Sequence, residues 1–396
     1  MAVAHQRVPA QLPIQHRVLS LFAVLPGYRL GRLFEISVFA YEFRVKSLEI
    51  TAAMIVSALR ATRAIFLSVC CATPMMALTG CSSETVSPVA DPETPMLIGT
   101  NVWSGYEPLY LARSLGYYDD SIRLVEFSSA SQVLRAVRNR TIQGAALTLD
   151  EALLLRELKH DIRVILVADV SDGGDAILAR PDIKTVADLR GRRIGVENTA
   201  LGGYVLTRAL ELHEMTPIDV EVVPLQINEQ ERAFVTKKID AVVTFDPVRS
   251  RLIAEEDAQT IFDSTQIKGE ILDVLVMRAD MLASRQAQIT QILNGWFKAR
   301  QYVDQHPNDA ADRSMARLKL SGDEVLDSFE GLHWPSVAEN LEMLDGPAPR
   351  LMNVAQKLKS VMLREGLLKE DIDLTGLFWP DGIKTLGTDA AVSHGE

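Results

Sequence analysis

Carboxylates, hydroxyls and aromatic rings recur in this 396-residue sequence wherever a short apolar run gives way to a polar turn and then to a helical pattern. Trp103-Ser-Gly-Tyr106 with Glu107, Ser128-Ser-Ala-Ser131 and Thr148-Leu-Asp-Glu151 are three such points; Glu197-Asn-Thr-Ala-Leu-Gly202 and Thr244-Phe-Asp-Pro247 are two more. Asp172-Gly-Gly-Asp175 adds two carboxylates around a hinge-like glycine pair. The chemistry open to these groups is non-covalent. Indole and phenol rings give flat apolar walls and can hold a cation over their faces. Hydroxyls and carboxylates accept hydrogen bonds, and a carboxylate also balances positive charge. Trp103, Tyr106, Ser129, Thr148, Asp150, Asp175, Glu197, Thr199 and Asp246 are therefore the candidate ligand-binding residues. For Asp150 and Asp246 helix capping and dipole compensation are an alternative reading. None of these loops contains Lys or Arg. A cleft built from them favours an amine or a donor-bearing heterocycle over a bare oxyanion, although helix N-termini near Ser131 and Gly202 offer backbone N–H groups to a sulfonate or carboxylate.

Groups for turnover are missing from the pattern. The histidines beyond residue 81, His160, His213, His306, His333 and His394, have no paired metal-ligand spacing, and neither a Gly-x-Ser-x-Gly elbow nor a phosphate loop occurs. The expectation is a binding protein that is not an enzyme and carries no metal and no cofactor.

The N-terminal part reads as a targeting signal. Arg60 and Arg63 precede the apolar stretch Ala64 to Leu78, which ends in Leu78-Thr-Gly-Cys81, a basic region, an apolar region and small residues before a cysteine. This resembles a bacterial lipobox, with lipidation on Cys81. The apolar stretch is shorter than the roughly 20 residues that span a bilayer. Cys70 and Cys71 would leave with the signal, so Cys81 would be the last cysteine and no disulfide could form. The formal net charge is -11, and the first 80 residues carry 8 Lys/Arg against 3 Asp/Glu, so the remainder is more acidic still. Such a surface excludes a nucleic-acid partner. Residues 1–53 lie upstream of an ordinary signal, which would begin at Met54, and read as an upstream extension from a mis-assigned start.

Residues 81–96, rich in Ser, Thr, Pro and acidic side chains, read as a flexible tether. From residue 97 apolar runs alternate with helical periodicity in a βαβα order, which predicts a mostly parallel sheet. Pro108 to Tyr118 is expected to be helical, and Thr148, Ser321 and Ser336, each followed by Glu three residues on, to open helices. The order repeats: Ile98-Gly99 and Ile194-Gly195 each begin a strand, and Gly99 to Asp150 and Gly195 to Asp246 both span 51 positions. Two lobes of one plan are implied.

Trp103-Ser-Gly-Tyr-Glu-Pro-Leu-Tyr-Leu-Ala-Arg-Ser-Leu-Gly-Tyr-Tyr118, Val186-Ala-Asp-Leu-Arg-Gly-Arg-Arg-Ile-Gly-Val196 and Asp240-Ala-Val-Val-Thr-Phe-Asp-Pro247 resemble substrate-binding proteins of ABC importers, in the NMT1/THI5-like group of nitrate, sulfonate, taurine and thiamine-precursor binders. The resemblance implies an α/β, type II periplasmic-binding-protein fold, two βαβ lobes joined by a two-strand hinge near Ile177 and Leu272, with a helical C-terminal extension. Residues 97–178 plus 272–386 would form one lobe and 179–271 the other, after a signal at 54–80. It implies a monomeric receptor on the periplasmic face of the cell envelope, lipid-anchored to a membrane and serving an ABC permease. The small-molecule ligand would be an amine-, sulfonate- or pyrimidine-type nutrient. A pyrimidine-precursor enzyme on the same fold and a ligand sensor without transport are the alternatives. Peptide mapping of the protein from its native host should recover nothing from residues 1–53; any such peptide contradicts a start at Met54.

Overall fold

The computed structural model describes residues 94–197 and 200–392. Thr199, Cys81 and the expected start, signal and most of the tether lie outside the described residues. In chain order, β1 (Met96–Thr100), α1 (Glu107–Ser114), β2 (Ile122–Glu126), α2 (Ala130–Arg138), β3 (Gly144–Thr148), α3 (Leu149–Glu157) and β4 (Ile162–Ser171) open the first lobe. The second holds β5 (Asp175–Ala179), β6 (Arg193–Glu197), α4 (Ala200–Leu212), β7 (Glu221–Leu225), α5 (Ile227–Val235), β8 (Ala241–Phe245), α6 (Val248–Glu256) and β9 (Gln259–Asp263). The chain then returns through β10 (Leu272–Arg278) into α7 (Gln286–Gln305), α8 (Pro307–Leu318), α9 (Gly322–Glu330), β11 (Leu332–His333), α10 (Val337–Leu344), α11 (Arg350–Arg364) and α12 (Asp381–Val392).

The strands form a six-stranded sheet of order β11-β4-β10-β3-β1-β2 and a five-stranded sheet of order β7-β6-β8-β5-β9. The repeat seen in the sequence is the shared centre of the two. Ile98 and Gly99 pair in parallel with Gly144 and Ala145, and Ile194 and Gly195 with Ala241 and Val242. A Cβ on Gly99 would lie 2.6 Å from Ile142 Cδ1, and one on Gly195 2.7 Å from Ile239 Cδ1. Both glycines thus let the isoleucine before the neighbouring strand lie flat on the sheet. The sheets are less parallel than the alternation predicts. β10 runs antiparallel to β3 and β4, and β5 antiparallel to β8 and β9, because a chain that crosses between lobes and comes back must reverse its direction. Those crossings lie at residues 171–175 and 263–272, and Ile177 sits inside β5, just past the first of them. The first helix is also shorter than its periodicity, because Gly116 turns left-handed at φ +71° just beyond it.

Two cationic clusters tie the C-terminal helices to the lobes. Arg317, at the end of α8, donates from Nε to Glu107 Oε1 at 2.5 Å and from its terminal nitrogens to Glu126 at 2.6 Å and to the Trp103 carbonyl at 2.8 Å. Its guanidinium lies 4.1 Å from the centroid of the Tyr110 ring. In the second cluster Glu270 accepts from Tyr204 and Arg208 of α4 at 2.6 and 2.9 Å and from Lys357 of α11 at 2.7 Å. Removing the cation from the first cluster leaves Glu107 buried and unpaired, which costs about 3–5 kcal/mol. Arg317→Ala should therefore lower the melting temperature by several degrees and Arg317→Lys by less, as read by calorimetry; equal stability of the alanine variant would contradict a supporting role for this pair.

Candidate functional site

The register of the strands gathers polar side chains where the two lobes meet. Asp273 of β10 stands opposite Thr148 of β3 on one side and Asp169 of β4 on the other. Directly past the crossing, Asp175 opens β5 opposite Phe245 of β8. The loop after β1 adds two aromatic residues: Trp103 Nε1 donates to Asp169 Oδ2 at 3.2 Å and the Tyr106 hydroxyl to Asp273 Oδ1. Trp103 also meets Phe245 edge to face, with centroids 5.3 Å apart and planes at 88°, so one ring comes from each lobe. Between them Gly105 admits no side chain, since a Cβ there would overlap both the Asp169 carboxylate and the Trp103 indole nitrogen.

Asn101, Trp103, Tyr106, Ala130, Thr148, Glu151, Asp175, Glu197, Leu201, Phe245 and Asp273 surround a cavity. Its volume is about 10 Å³, room for one water molecule at most, so anything larger enters only when the lobes part. A larger, open hollow of about 330 Å³ lies beside Tyr110, Arg113 and Arg313, but Arg317 and Glu107 there are already paired with each other. The polar atoms around the small cavity are not so paired. Glu151 Oε2 accepts from the Thr148 backbone N–H at 3.2 Å and so closes the first turn of α3. Its Oε1, with Glu197 Oε1, Asp150 Oδ2, Asp169 Oδ1 and the hydroxyls of Ser129 and Thr244, has no hydrogen-bond partner among the described residues.

Among the described residues no Lys or Arg lines this cavity. Burial accordingly pushes the carboxylates up: Asp150 to about 6, and Asp175 and Glu197 to about 7. Glu151 and Asp169 are raised well above the usual carboxylate range, chiefly by burial and then by neighbouring carboxylates, and so is Asp273, by burial first and then by Asp169. The Tyr106 phenol is raised in the same way. For Glu197 two contacts oppose burial, since the backbone N–H groups of Ser131 and Ala130 donate to it. These open α2 in the other lobe, so Glu197 occupies a helix N-terminus across the cleft.

Of the candidate residues, the structure brings together Trp103, Tyr106, Thr148, Asp175 and Glu197 on the cavity wall. Ser129 and Asp150 are buried just behind it. Asp246 is near enough to Asp175 to raise its proton affinity but is not on the wall: its Oδ1 accepts from the Ser250 backbone N–H at 3.0 Å and hydroxyl at 2.6 Å, and Arg249 lies 3.5 Å from Oδ2, the capping arrangement at the start of α6. Sequence reasoning missed Asp169, Asp273, Glu151 and Phe245. A lone carboxylate inside the apolar runs Ile162–Ser171 and Leu272–Arg278 is the signal that could have found the first two. Glu151 is legible as a capping-box residue, and its second oxygen as a cavity group is not.

Two α/β lobes joined by two crossings around a polar cavity have the fold of the periplasmic binding proteins. The chain belongs to the NMT1-like family, which it matches over residues 90–320. It is 28% identical over 158 residues to the taurine-binding periplasmic protein of Escherichia coli (strain K12), a stretch covering 39% of this chain and 49% of that relative. The chain thus matches about half the length of that protein. Among solved structures, the alkanesulfonate-binding protein SsuA from Xanthomonas axonopodis pv. citri, bound to MOPS, superimposes with a TM-score of 0.64 at 16% identity, covering 74% of this chain and all of that one (100%). The desulfurization enzyme DSZB superimposes with a TM-score of 0.58 at 18% identity over 75% of this chain and 99% of its own. At those identities the likeness is one of fold.

The raised carboxylates set a pH dependence. Each binds a proton in the folded chain at pH values where the unfolded chain has lost it, so stability falls as pH rises from about 4 to about 7. Without added ligand the melting temperature should drop across that window, and Glu197→Gln should flatten the drop; a melting temperature that climbs from pH 5 to pH 7 in roughly the same buffer series would contradict this reading.

Proposed function

We propose that this chain is the solute receptor of an ABC importer, anchored by a lipid on Cys81 at the periplasmic face of the cell envelope. It captures a small amine-, sulfonate- or pyrimidine-type nutrient in the cleft as a monomer and delivers it to a membrane permease. The observation that carries this reading is the cavity to which both lobes contribute, walled by Trp103 and Tyr106 on one side and Glu197 and Phe245 on the other, with two chain crossings beside it. Such a site opens and closes by a hinge motion and can bury a small molecule completely. The names of the relatives, taurine-binding and alkanesulfonate-binding proteins, support a transport role in the periplasm. Binding rather than turnover is supported by a wall of rings, hydroxyls and carboxylates that includes neither histidine nor cysteine. Because DSZB shares the fold, turnover of a pyrimidine precursor by purified protein would be the observation against it.

Deletion of the gene should abolish growth on one nitrogen or sulfur source, restored by the wild-type copy, and unchanged growth on every source would contradict the receptor role. In the same strain Cys81→Ser should release the protein from the membrane fraction; retention of that variant would contradict the lipid anchor.

A further inference from the structure

The cleft also carries information on the charge of what it binds. Glu151 is 2% and Glu197 5% exposed, both line the cavity, and each keeps one oxygen without a hydrogen-bond partner among the described residues. A buried carboxylate oxygen left unmatched is costly, and a bound N–H donor removes that cost. The cation nearest in sequence to these loops, Arg249, is engaged with Asp246 and is not on the cavity wall.

The start of a helix is the natural anion site of such a cleft, because its N–H groups are unpaired and its dipole end is positive. At α2 that place is filled by the protein's own carboxylate, Glu197, which takes the N–H groups of Ala130 and Ser131. An oxyanion entering there has to displace Glu197 and then lie among Glu151, Asp175 and Asp273. The rings of Trp103 and Phe245, one from each lobe, suit a positive charge instead. Among the described residues no three His, Cys, Asp or Glu side chains are grouped to hold a metal ion.

We propose that the cleft selects a small organic cation whose charge is carried on N–H donors, an amine, amidine or guanidine, and rejects sulfonates and other oxyanions. This rests on the receptor reading above and names its ligand class. The donors meet Glu151 Oε1 and Glu197 Oε1, and the hydrocarbon part lies against Trp103 and Phe245. The ionisable groups around the ligand are Asp150 and Glu151 on α3, Asp169 on β4, Asp175 on β5, Glu197 on β6, Asp273 on β10 and Tyr106 in the loop before α1, with Arg249 beyond Asp246.

The test is titration calorimetry on the purified full-length protein with putrescine, agmatine and benzamidine against taurine, ethanesulfonate and calcium chloride. At least one of the three cations should bind, with affinity rising up to about tenfold per pH unit between pH 6 and pH 7 for each proton displaced. Glu151→Gln and Glu197→Gln should each weaken that cation roughly tenfold or more while leaving the ligand-free melting temperature equal or higher, because the amide replaces a buried carboxyl group that is costly to ionise in place. Failure of all three cations to bind, tighter binding of a sulfonate or of calcium, or full cation affinity in both variants would overturn the proposal. Sulfonate binding would overturn the charge assignment and leave the receptor reading standing, whereas a deletion strain with no growth defect removes the receptor reading itself.

Discussion

Bringing two lobes together over a group of carboxylates, with no Lys or Arg among the described residues of the cavity wall, is the constraint on which the rest of this cleft depends. Taking an ionised carboxylate out of water costs several kcal/mol unless a partner replaces the lost solvation. Neutral donors go part of the way: the Trp103 indole serves Asp169, the Tyr106 hydroxyl serves Asp273, and two backbone N–H groups serve Glu197. These satisfy oxygens without cancelling charge. What remains is met either by protons, as the raised affinity of Asp150, Asp175 and Glu197 for them indicates, or by a positively charged guest.

Elsewhere buried acidic groups are given cations: Glu107 has Arg317, and Glu270 has Arg208 and Lys357. The sequence therefore does not lack basic residues; it places them on the supports of the cleft and keeps them off its wall. Arg317 holds the Trp103 loop from behind, and the Glu270 cluster joins α4 to α11. Gly105 is required for the same reason as the pairing it permits, since the indole and the Asp169 carboxylate meet where its side chain would stand.

Much of this was legible in the sequence. Strand ends followed by Ser, Gly, Asp or Glu located the loops that face the cleft, and the equal spacing from Gly99 to Asp150 and from Gly195 to Asp246 announced two related lobes. The spacing also misled, because it made Asp150 and Asp246 look equivalent. Asp246 turned out to be occupied by Ser250 and Arg249. The residues that escaped, Asp169 and Asp273, lie in strands that read simply as buried β structure, and their meeting depends on antiparallel pairing between segments about a hundred positions apart. Periodicity reports which face a residue takes and is silent on which strand lies beside it. The exchange between Glu197 and the start of α2 is a contact between lobes and has no local signature at all.

The proton count of binding tests the account most directly. Calorimetric titration of a cationic ligand near neutral pH, repeated in buffers of different ionisation enthalpy, gives the number of protons exchanged per ligand. If buried carboxylates take up the guest's charge, protons must leave as it binds, and the count is a net release that shrinks as the pH rises. Uptake of protons on binding, or tighter binding of an anion as the pH falls, would contradict it.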